Sequence, residues 1–231
     1  MKIIGLVTAR GGSKNLPRKN LHKIGEDTLV SKAVFDAYES GLIEKVFISS
    51  DSEEIIDSAK TRGAICLSIR KKELARDDST DREVIIDFLD EVSTYYEPYL
   101  IVHLRPTSPQ RTPKLIQKVI QEFLKSKNKI YSSIRTFHEV TGSYLKLAKI
   151  NSNSEICPLG EKEFGYNIWG MPRQKLPNLA QGNGLVDILR PQIIRDCKSH
   201  YGDKVLGYKT DKTIDIDSKT DYDLVKSLLS P

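Results

Sequence analysis

Ile3-Ile4-Gly5-Leu6-Val7 is an unbroken apolar run, and Ala9-Arg10-Gly11-Gly12-Ser13-Lys14-Asn15-Leu16-Pro17-Arg18-Lys19-Asn20 follows it as a basic loop. A strand without polar alternation is one buried on both faces, the habit of parallel sheets. The pair predicts a parallel strand with a cationic loop at its carboxyl end, which is where open α/β sheets bind their ligands. Gly11 and Gly12 offer unusual backbone angles and close main-chain approach, and Arg10, Lys14, Arg18 and Lys19 add positive charge. Such a loop suits a polyphosphate; the competing reading is a solvated basic turn.

Two familiar phosphate loops do not fit. The Walker pattern needs Lys directly before Ser or Thr, whereas Ser13 precedes Lys14 and Asn15 follows it. The dinucleotide fingerprint lacks its third glycine at the opening of a helix.

Outward from the loop, Leu29, Val30, Ala33, Val34 and Ala37 predict a helix over Thr28–Ser40 that Gly41 closes. Val46-Phe47-Ile48 reads as a second buried strand, and Asp51 or Ser52 as the cap of a helix through Ile55, Ile56 and Ala59 to Gly63. Ala64–Ser68 reads as a third strand delivering Arg70 to the same edge as the loop; beside Lys71 and Lys72, Arg70 also reads as surface charge. A helix through Val84, Ile85, Phe88 and Leu89 comes next, then the central strand Leu100–Leu104 ending in Arg105-Pro106-Thr107-Ser108-Pro109. The two prolines make a stiff turn suited to holding a ligand in one orientation. His103 inside the apolar run reads as a packed core histidine rather than a catalyst.

Pro113 starts a helix through Leu115, Ile116, Val119, Ile120 and Phe123. Short strands are then expected at Ile130–Ile134 and Tyr144–Ala148 with a turn at Asn151–Ser154, and a further strand at Leu185–Leu189. Ile214-Asp215-Ile216-Asp217 reads as a strand presenting both carboxylates on one face, an arrangement that needs a cation. A hard ion such as Mg²⁺ carrying phosphates fits; the alternative is that Asp217 caps the last helix, and both can hold together.

Composition sets the outer limits. In 231 residues, 39% hydrophobic and 29% charged, one sizeable α/β domain can bury its core unaided. A net charge of +5, from 36 basic and 31 acidic residues, is too balanced for binding nucleic acid by phosphate neutralisation alone. Lys114, Lys118, Lys125, Lys127 and Lys129 read as the wet face of a helix. Three scattered cysteines predict free thiols, and without a signal peptide or an apolar run of ~20 residues the expectation is a cytoplasmic protein with no membrane partner.

The basic loop, Leu104-Arg105-Pro106-Thr107-Ser108-Pro109-Gln110-Arg111, Pro172-Arg173-Gln174-Lys175-Leu176-Pro177, Asn183-Gly184 and Ile214–Asp217 occur in an order that resembles the CMP-acylneuraminate synthetases, the sialic-acid type of cytidylyltransferase. The resemblance runs from Ile4 to Leu228. It implies a single α/β domain over 1–231, with a mostly parallel Rossmann-like, GT-A-like sheet and helices on both faces. It also implies a β-rich excursion over 136–182 that forms a homodimer and serves the sugar site. The substrates implied are CTP and a nine-carbon α-keto acid sugar, with Mg²⁺ on Asp215 and Asp217. Arg10, Lys19, Asp215 and Asp217 become the catalytic set. Arg10, Gly11, Gly12, Ser13, Lys14, Asn20, Arg70, Ser79, Pro106, Thr107 and Ser108 become the nucleotide site, and Lys146, Arg173, Gln174, Asn183 and Gly184 the sugar site. His22, His138 and His200 receive no role.

Three departures stand out. Arg105 sits where relatives carry Gln or Asp, and Asp187 where they carry an aromatic residue. Glu161–Gly170 lacks a family arginine and instead holds Tyr166 and Trp169. Asp187 reads equally as a contact for a sugar substituent and as a solvent-side carboxylate. The rivals in function are another nucleotidyltransferase or a glycosyltransferase of the same architecture, and a catalytically silent nucleotide-binding module.

Overall fold

The computed structural model describes residues 1–126 and 131–229. β1 (Ile3–Thr8) leads through the basic loop to a small hairpin, β2 (Lys23–Ile24) with β3 (Asp27–Thr28). α1 (Leu29–Glu39) begins at a capping box in which the Thr28 hydroxyl accepts from the Ser31 amide, and it ends before Gly41 at φ 72°. β4 (Lys45–Ser49), α2 (Glu53–Lys60), α3 (Asp81–Val92) and β5 (Leu100–Leu104) follow. α4 (Pro113–Lys125) carries the expected first-turn proline. After it come β6 (Ser133–Val140), β7 (Ala148–Ile150), β8 (Ile156–Pro158), α5 (Glu161–Phe164) and the long β9 (Leu179–Leu189). α6 (Pro191–Asp196), β10 (Val205–Lys209) and α7 (Lys219–Leu229) complete the chain.

The main sheet has six strands in the order β10-β6-β9-β5-β1-β4. It is mostly parallel but mixed: β1 runs parallel to β4 and β5, whereas β9 runs antiparallel to β5 and sets His103 opposite Asp187. Reversal of β9 puts its Asn183–Gly184 stretch beside the turn after β5. Side chains alternate along β1: Ile3 and Val7 pack with residues of α1, α2 and α4, and Ile4 and Leu6 with Ile85, Phe88 and Leu89 of α3.

The chain clusters into two compact units. One comprises Met1–Thr136, Asn183–Tyr208 and Thr213–Pro231; the other comprises Phe137–Gly182 with Lys209–Lys212. The smaller unit holds the β7–β8 hairpin around the Asn151–Ser154 turn, together with several short helical turns.

Three local expectations are corrected. Ala64–Ser68 is no strand: only Ile65 bridges to β4, and Ser68 turns away to give its hydroxyl to Glu91. Tyr144–Ala148 is instead a 3₁₀ turn over Gly142–Lys146, started by the Thr141 hydroxyl accepting from the Ser143 amide. Ile214–Asp217 is extended but outside any sheet, because its amides bond to the loop after β5: Ile214 to the Gln110 side chain at 2.8 Å and Ile216 to the Thr107 carbonyl at 2.9 Å. Of the two residues expected to cap α2, Ser52 occupies the position, without a side-chain bond. Lys127, Lys129 and the start of the strand expected at Ile130 lie outside the described residues.

Candidate functional site

The loop after β1 is braced from several sides. The buried Asn20 gives its amide to the Arg10 carbonyl at 2.9 Å, the Gly11 amide donates to Asp51 Oδ1 at 2.8 Å, and the Ala9 amide to the Ser49 carbonyl. Neither Gly11 nor Gly12 has positive φ, contrary to the expectation of unusual backbone angles. Gly11 is needed for space, since a Cβ there would stand 3.1 Å from Ser52 Cβ, and one on Gly12 would enter open space. Ser13 closes a tight turn through its amide to the Gly11 carbonyl.

A cavity of about 300 Å³ opens beyond the carboxyl ends of β1 and β5. Arg10, Lys19, Asn20, Arg70, Ser79, Pro106 and Thr107 all line it, so six of the residues expected at the nucleotide site share one cleft with Lys19 of the expected catalytic set. An adjoining recess takes in Gly12 and Lys14 with Arg10 and Asp77. Arg70 is buried rather than a surface charge: Nε donates to the Ser49 hydroxyl at 3.0 Å and Nη2 to the Ser49 carbonyl, and burial pulls its pKa down. Ser79 fastens the turn before α3, donating to the Glu73 carbonyl and accepting from the Arg76 amide.

Asp77 and Asp81, absent from the sequence expectations, belong to the same walls. Asp77 bridges Lys14 and Arg10, whose hydrogen bonds hold its carboxyl below the ordinary range. Asp81 opens α3 behind the capping box of Thr80 and Glu83, a signature present in Thr80-Asp81-Arg82-Glu83. Its Oδ2 accepts from Arg105 Nη2 at 2.5 Å.

Arg105 is the hub of a charge network. Nη1 donates to Asp187 Oδ2 at 2.7 Å, Tyr201 gives its hydroxyl to the same oxygen at 2.9 Å, and Arg135 faces Asp187 Oδ1 at 3.4 Å. Asp187 is fully buried, so neither the solvent-side nor the substituent-contact reading describes it. Burial opposes ionisation of Asp81, yet it is held down to about 2. His103 is pushed to about 3 by burial and by Arg105, hence neutral, so the positive charge responsible at neutral pH is Arg105. His103 Nε2 shares a 2.8 Å hydrogen bond with the Thr8 hydroxyl, as befits a packed histidine. Arg111, fully buried, steadies the turn by donating Nη1 to the carbonyls of Arg105 and Leu185.

Asp217 Oδ1 lies 2.9 Å from Lys19 Nζ. Asp215 is exposed as a residue, yet the protein atoms around its carboxyl withdraw it from water enough to raise it above the usual range; a hydrogen bond from Thr107 opposes the shift and Asp217 adds to it. Asp217 does not take the capping bonds of α7: the Asp217 and Ser218 amides both donate to Asp221. Ser108, buried, directs its hydroxyl towards the Asn183 carbonyl and Asp215. Gly184 has φ 67°, and a Cβ there would press to 3.2 Å from Ser108 Oγ. No group of three or more His, Cys, Asp or Glu among the described residues could hold a metal, so the protein would offer an ion at most the two carboxylates.

In the smaller unit, Lys146 Nζ is committed to the Trp169 and Met171 carbonyls, and Trp169 returns its indole N–H to the Lys146 carbonyl. Arg173 and Gln174 are exposed on a 3₁₀ turn.

The sequence profile that matches the chain, over residues 4–156, is described as Cytidylyltransferase. The chain is similar to the CMP-N,N'-diacetyllegionaminic acid synthase of Legionella pneumophila, 26% identical over 249 residues that cover 99% of this chain and 97% of that protein. It is also similar to an N-acylneuraminate cytidylyltransferase of Streptococcus agalactiae, 28% identical over 96% of this chain and 52% of that protein, so it spans about half the length of the streptococcal one. Its fold is similar to that of a CMP:2-keto-3-deoxy-manno-octonic acid synthetase solved with CTP, with a TM-score of 0.73 at 12% identity over 99% of this chain and 98% of that one.

Proposed function

The chain belongs to the cytidylyltransferase family, in its sialic-acid type, and from that premise we propose that it transfers CMP from CTP to a nine-carbon α-keto acid sugar and releases pyrophosphate. The observation that carries this reading is the single cleft in which Arg10, Lys19, Asn20, Arg70, Ser79 and the Pro106–Thr107 turn converge beyond β1 and β5. Arg10, Lys14 and Lys19 bind the triphosphate as charge-assisted donors, and the open side of Gly12 lets phosphate oxygens approach the backbone. The Asn20 and Asp51 bonds hold this loop in place before substrate arrives, so little ordering is left to the moment of binding.

The family implies a divalent cation, and the residues fit one: Asp215 and Asp217 are like charges near each other, and Asp215 is raised first by its withdrawal from water and further by Asp217. Mg²⁺ when bound would supply charge neutralisation at the phosphates and lower the pKa of the attacking anomeric hydroxyl. In this reading Lys19, paired with Asp217, stabilises charge on the phosphate during in-line attack. No side-chain nucleophile is required, and the neutral, packed His103 is not a base.

Arg173, Gln174, Asn183 and Gly184 belong to the acceptor side of this reading. The smaller unit is proposed as the dimerisation element, supported by the exposure on it of Leu147, Ile150, Ile156 and Leu159 with Tyr166 and Trp169. No helix among the described residues is long and apolar enough to cross a membrane, and a cytoplasmic location is proposed.

The test is pyrophosphate release from CTP with Mg²⁺ against neuraminate, legionaminate and pseudaminate derivatives, with octulosonate and no sugar as controls. Release with a nine-carbon acid is expected; nucleoside diphosphate release, or CTP binding with no turnover on any acid, would sink the reading. Sedimentation should give twice the mass of one chain.

A further inference from the structure

The turn after β5 does more than line the cleft. Its Thr107 carbonyl accepts from the Ile216 amide at 2.9 Å and its Gln110 side chain from the Ile214 amide at 2.8 Å, so the segment carrying Asp215 and Asp217 hangs from it. Its Ser108 hydroxyl stands 3.4 Å from the Asn183 carbonyl. Arg111 closes the turn: Nη1 reaches back to the Arg105 carbonyl at 3.1 Å and across to the Leu185 carbonyl of β9 at 3.0 Å. Only 1% of the Arg111 side chain is exposed, and its Nε has no hydrogen-bond partner among the described residues. What faces that atom is Asp36 of α1, equally buried, with Oδ2 at 4.0 Å. Lys32, one helical turn earlier, holds both Asp36 oxygens, at 2.8 and 3.0 Å. Neither Lys32 nor Asp36 lines the cleft.

We propose that Asp36, on α1 and away from the cleft, is a positioning residue for the transfer: through Arg111 it fixes the turn after β5, and with it the segment of Asp215 and Asp217. This rests on the reading of the cleft as a nucleotidyl-transfer site. Arg111 cannot shed its proton, and a guanidinium so deeply buried is tolerated only with an anion at hand. Asp36 is that anion, and the two Lys32 bonds orient its carboxylate. Stability alone does not account for the pair, because well-packed apolar residues in place of a buried ion pair are often neutral or stabilising. What an apolar pair would not supply is the Nη1 clasp on the Arg105 and Leu185 carbonyls. In a reaction run by positioning and charge, a small shift of that turn moves its Pro106–Thr107 face and the two carboxylates relative to the phosphates. Asp36 touches no substrate and acts only through Arg111.

The test compares wild type, Asp36→Asn and Asp36→Glu by urea unfolding, pyrophosphate release and amide hydrogen exchange. Under conditions where urea curves show each chain fully folded, Asp36→Asn should lose at least about tenfold in kcat, since a misplacement of about 1 Å costs roughly a hundredfold. The Ile214 and Ile216 amides should exchange at least about tenfold faster relative to those of β1, a local loosening that a general loss of stability would not produce. Asp36→Glu, which keeps the charge, should recover most of both. A lowered urea midpoint with unchanged kcat and a uniform rise in exchange overturns the proposal while leaving cytidylyl transfer intact. A wild type that releases no pyrophosphate with any acid overturns both readings. If Asp36→Asn fails to fold, Lys32→Met decides: it frees the carboxylate from a partly exposed partner and should lower kcat in the same sense, and an unchanged kcat overturns the proposal.

Discussion

Arg105 and Asp187, 82 residues apart in sequence, meet in the interior at 2.7 Å. They are two of the positions at which the sequence departs from the pattern that the resemblance implies, and the contact makes them one feature rather than two. The cation needs a buried partner, and the carboxylate, fully enclosed, needs a cation. Removing one member leaves the other charge unpaired: Asp187→Ala should destabilise the chain by about 3 kcal/mol or more, read as a lower urea midpoint. Arg105→Gln combined with Asp187→Asn should recover a good part of that loss. If Asp187→Ala unfolds at the wild-type midpoint, the pair is not what holds this corner together.

The pattern of this network explains which parts of the molecule were legible in the sequence. Apolar runs and helix periodicity located β1, β4, β5 and the four longer helices before α5, because burial of a continuous run or a single stripe imposes those patterns directly. The strands at Ala64–Ser68 and Tyr144–Ala148 failed because side-chain bonds from Ser68 and Thr141 compete with the ladder, and propensity does not register such competition. The cleft residues were legible as a cationic loop and a proline turn. Asp77 was missed since an exposed acidic residue in a polar loop carries no signal of its partner. Asp81 had a signal, the Thr80–Glu83 capping box, which places a first-turn carboxylate at the mouth of the sheet. Asp187 was misjudged because nothing local reveals that Arg105, on the neighbouring strand's end, encloses it.

Lys19 and Asp217 are drawn together at 2.9 Å, with Asp217 mostly exposed. An exposed pair contributes about 1 kcal/mol or less to stability. Lys19→Ala and Asp217→Asn should therefore melt within a few degrees of the wild type, yet each should lose most nucleotidyl transfer, about a hundredfold or more for a displaced charge at a transferring phosphate. Near-normal pyrophosphate release by both would remove them from the catalytic set.

Asp77 occupies, with its carboxylate, the space between Arg10 and Lys14 that a phosphate would take. Nucleotide binding must part these exposed ion pairs. Asp77→Asn is expected to tighten CTP binding roughly two- to fivefold, with a steeper salt dependence of affinity than in the wild type. Weaker binding by the variant would mean that Asp77 instead holds the two cations in their binding geometry.

His103 ties stability to pH. Burial first, then the charge of Arg105, push it to about 3, against about 6.5 for an unfolded histidine. Between those values the unfolded chain binds a proton that the folded chain refuses, so the contribution is complete above pH 6.5 and is lost as pH falls, at up to ~1.4 kcal/mol per pH unit. The groups facing it are Asp81 of α3, Asp187 of β9, Arg105 and His200. Asp81, at about 2, keeps its charge through this window and contributes little slope above pH 4.5, where an unfolded aspartate is already mostly ionised. His200 is also lowered by burial and leaves a residual slope of the same sign. Asp36 and Asp215, both raised by burial, act with the opposite sign but cancel when two variants are compared at each pH. His103→Gln preserves a polar partner for the Thr8 hydroxyl and removes the titration. Urea unfolding between pH 6.5 and 4.5 should therefore show the wild type losing stability faster than His103→Gln. Parallel curves would mean that the buried imidazole accepts its proton without leaving the fold.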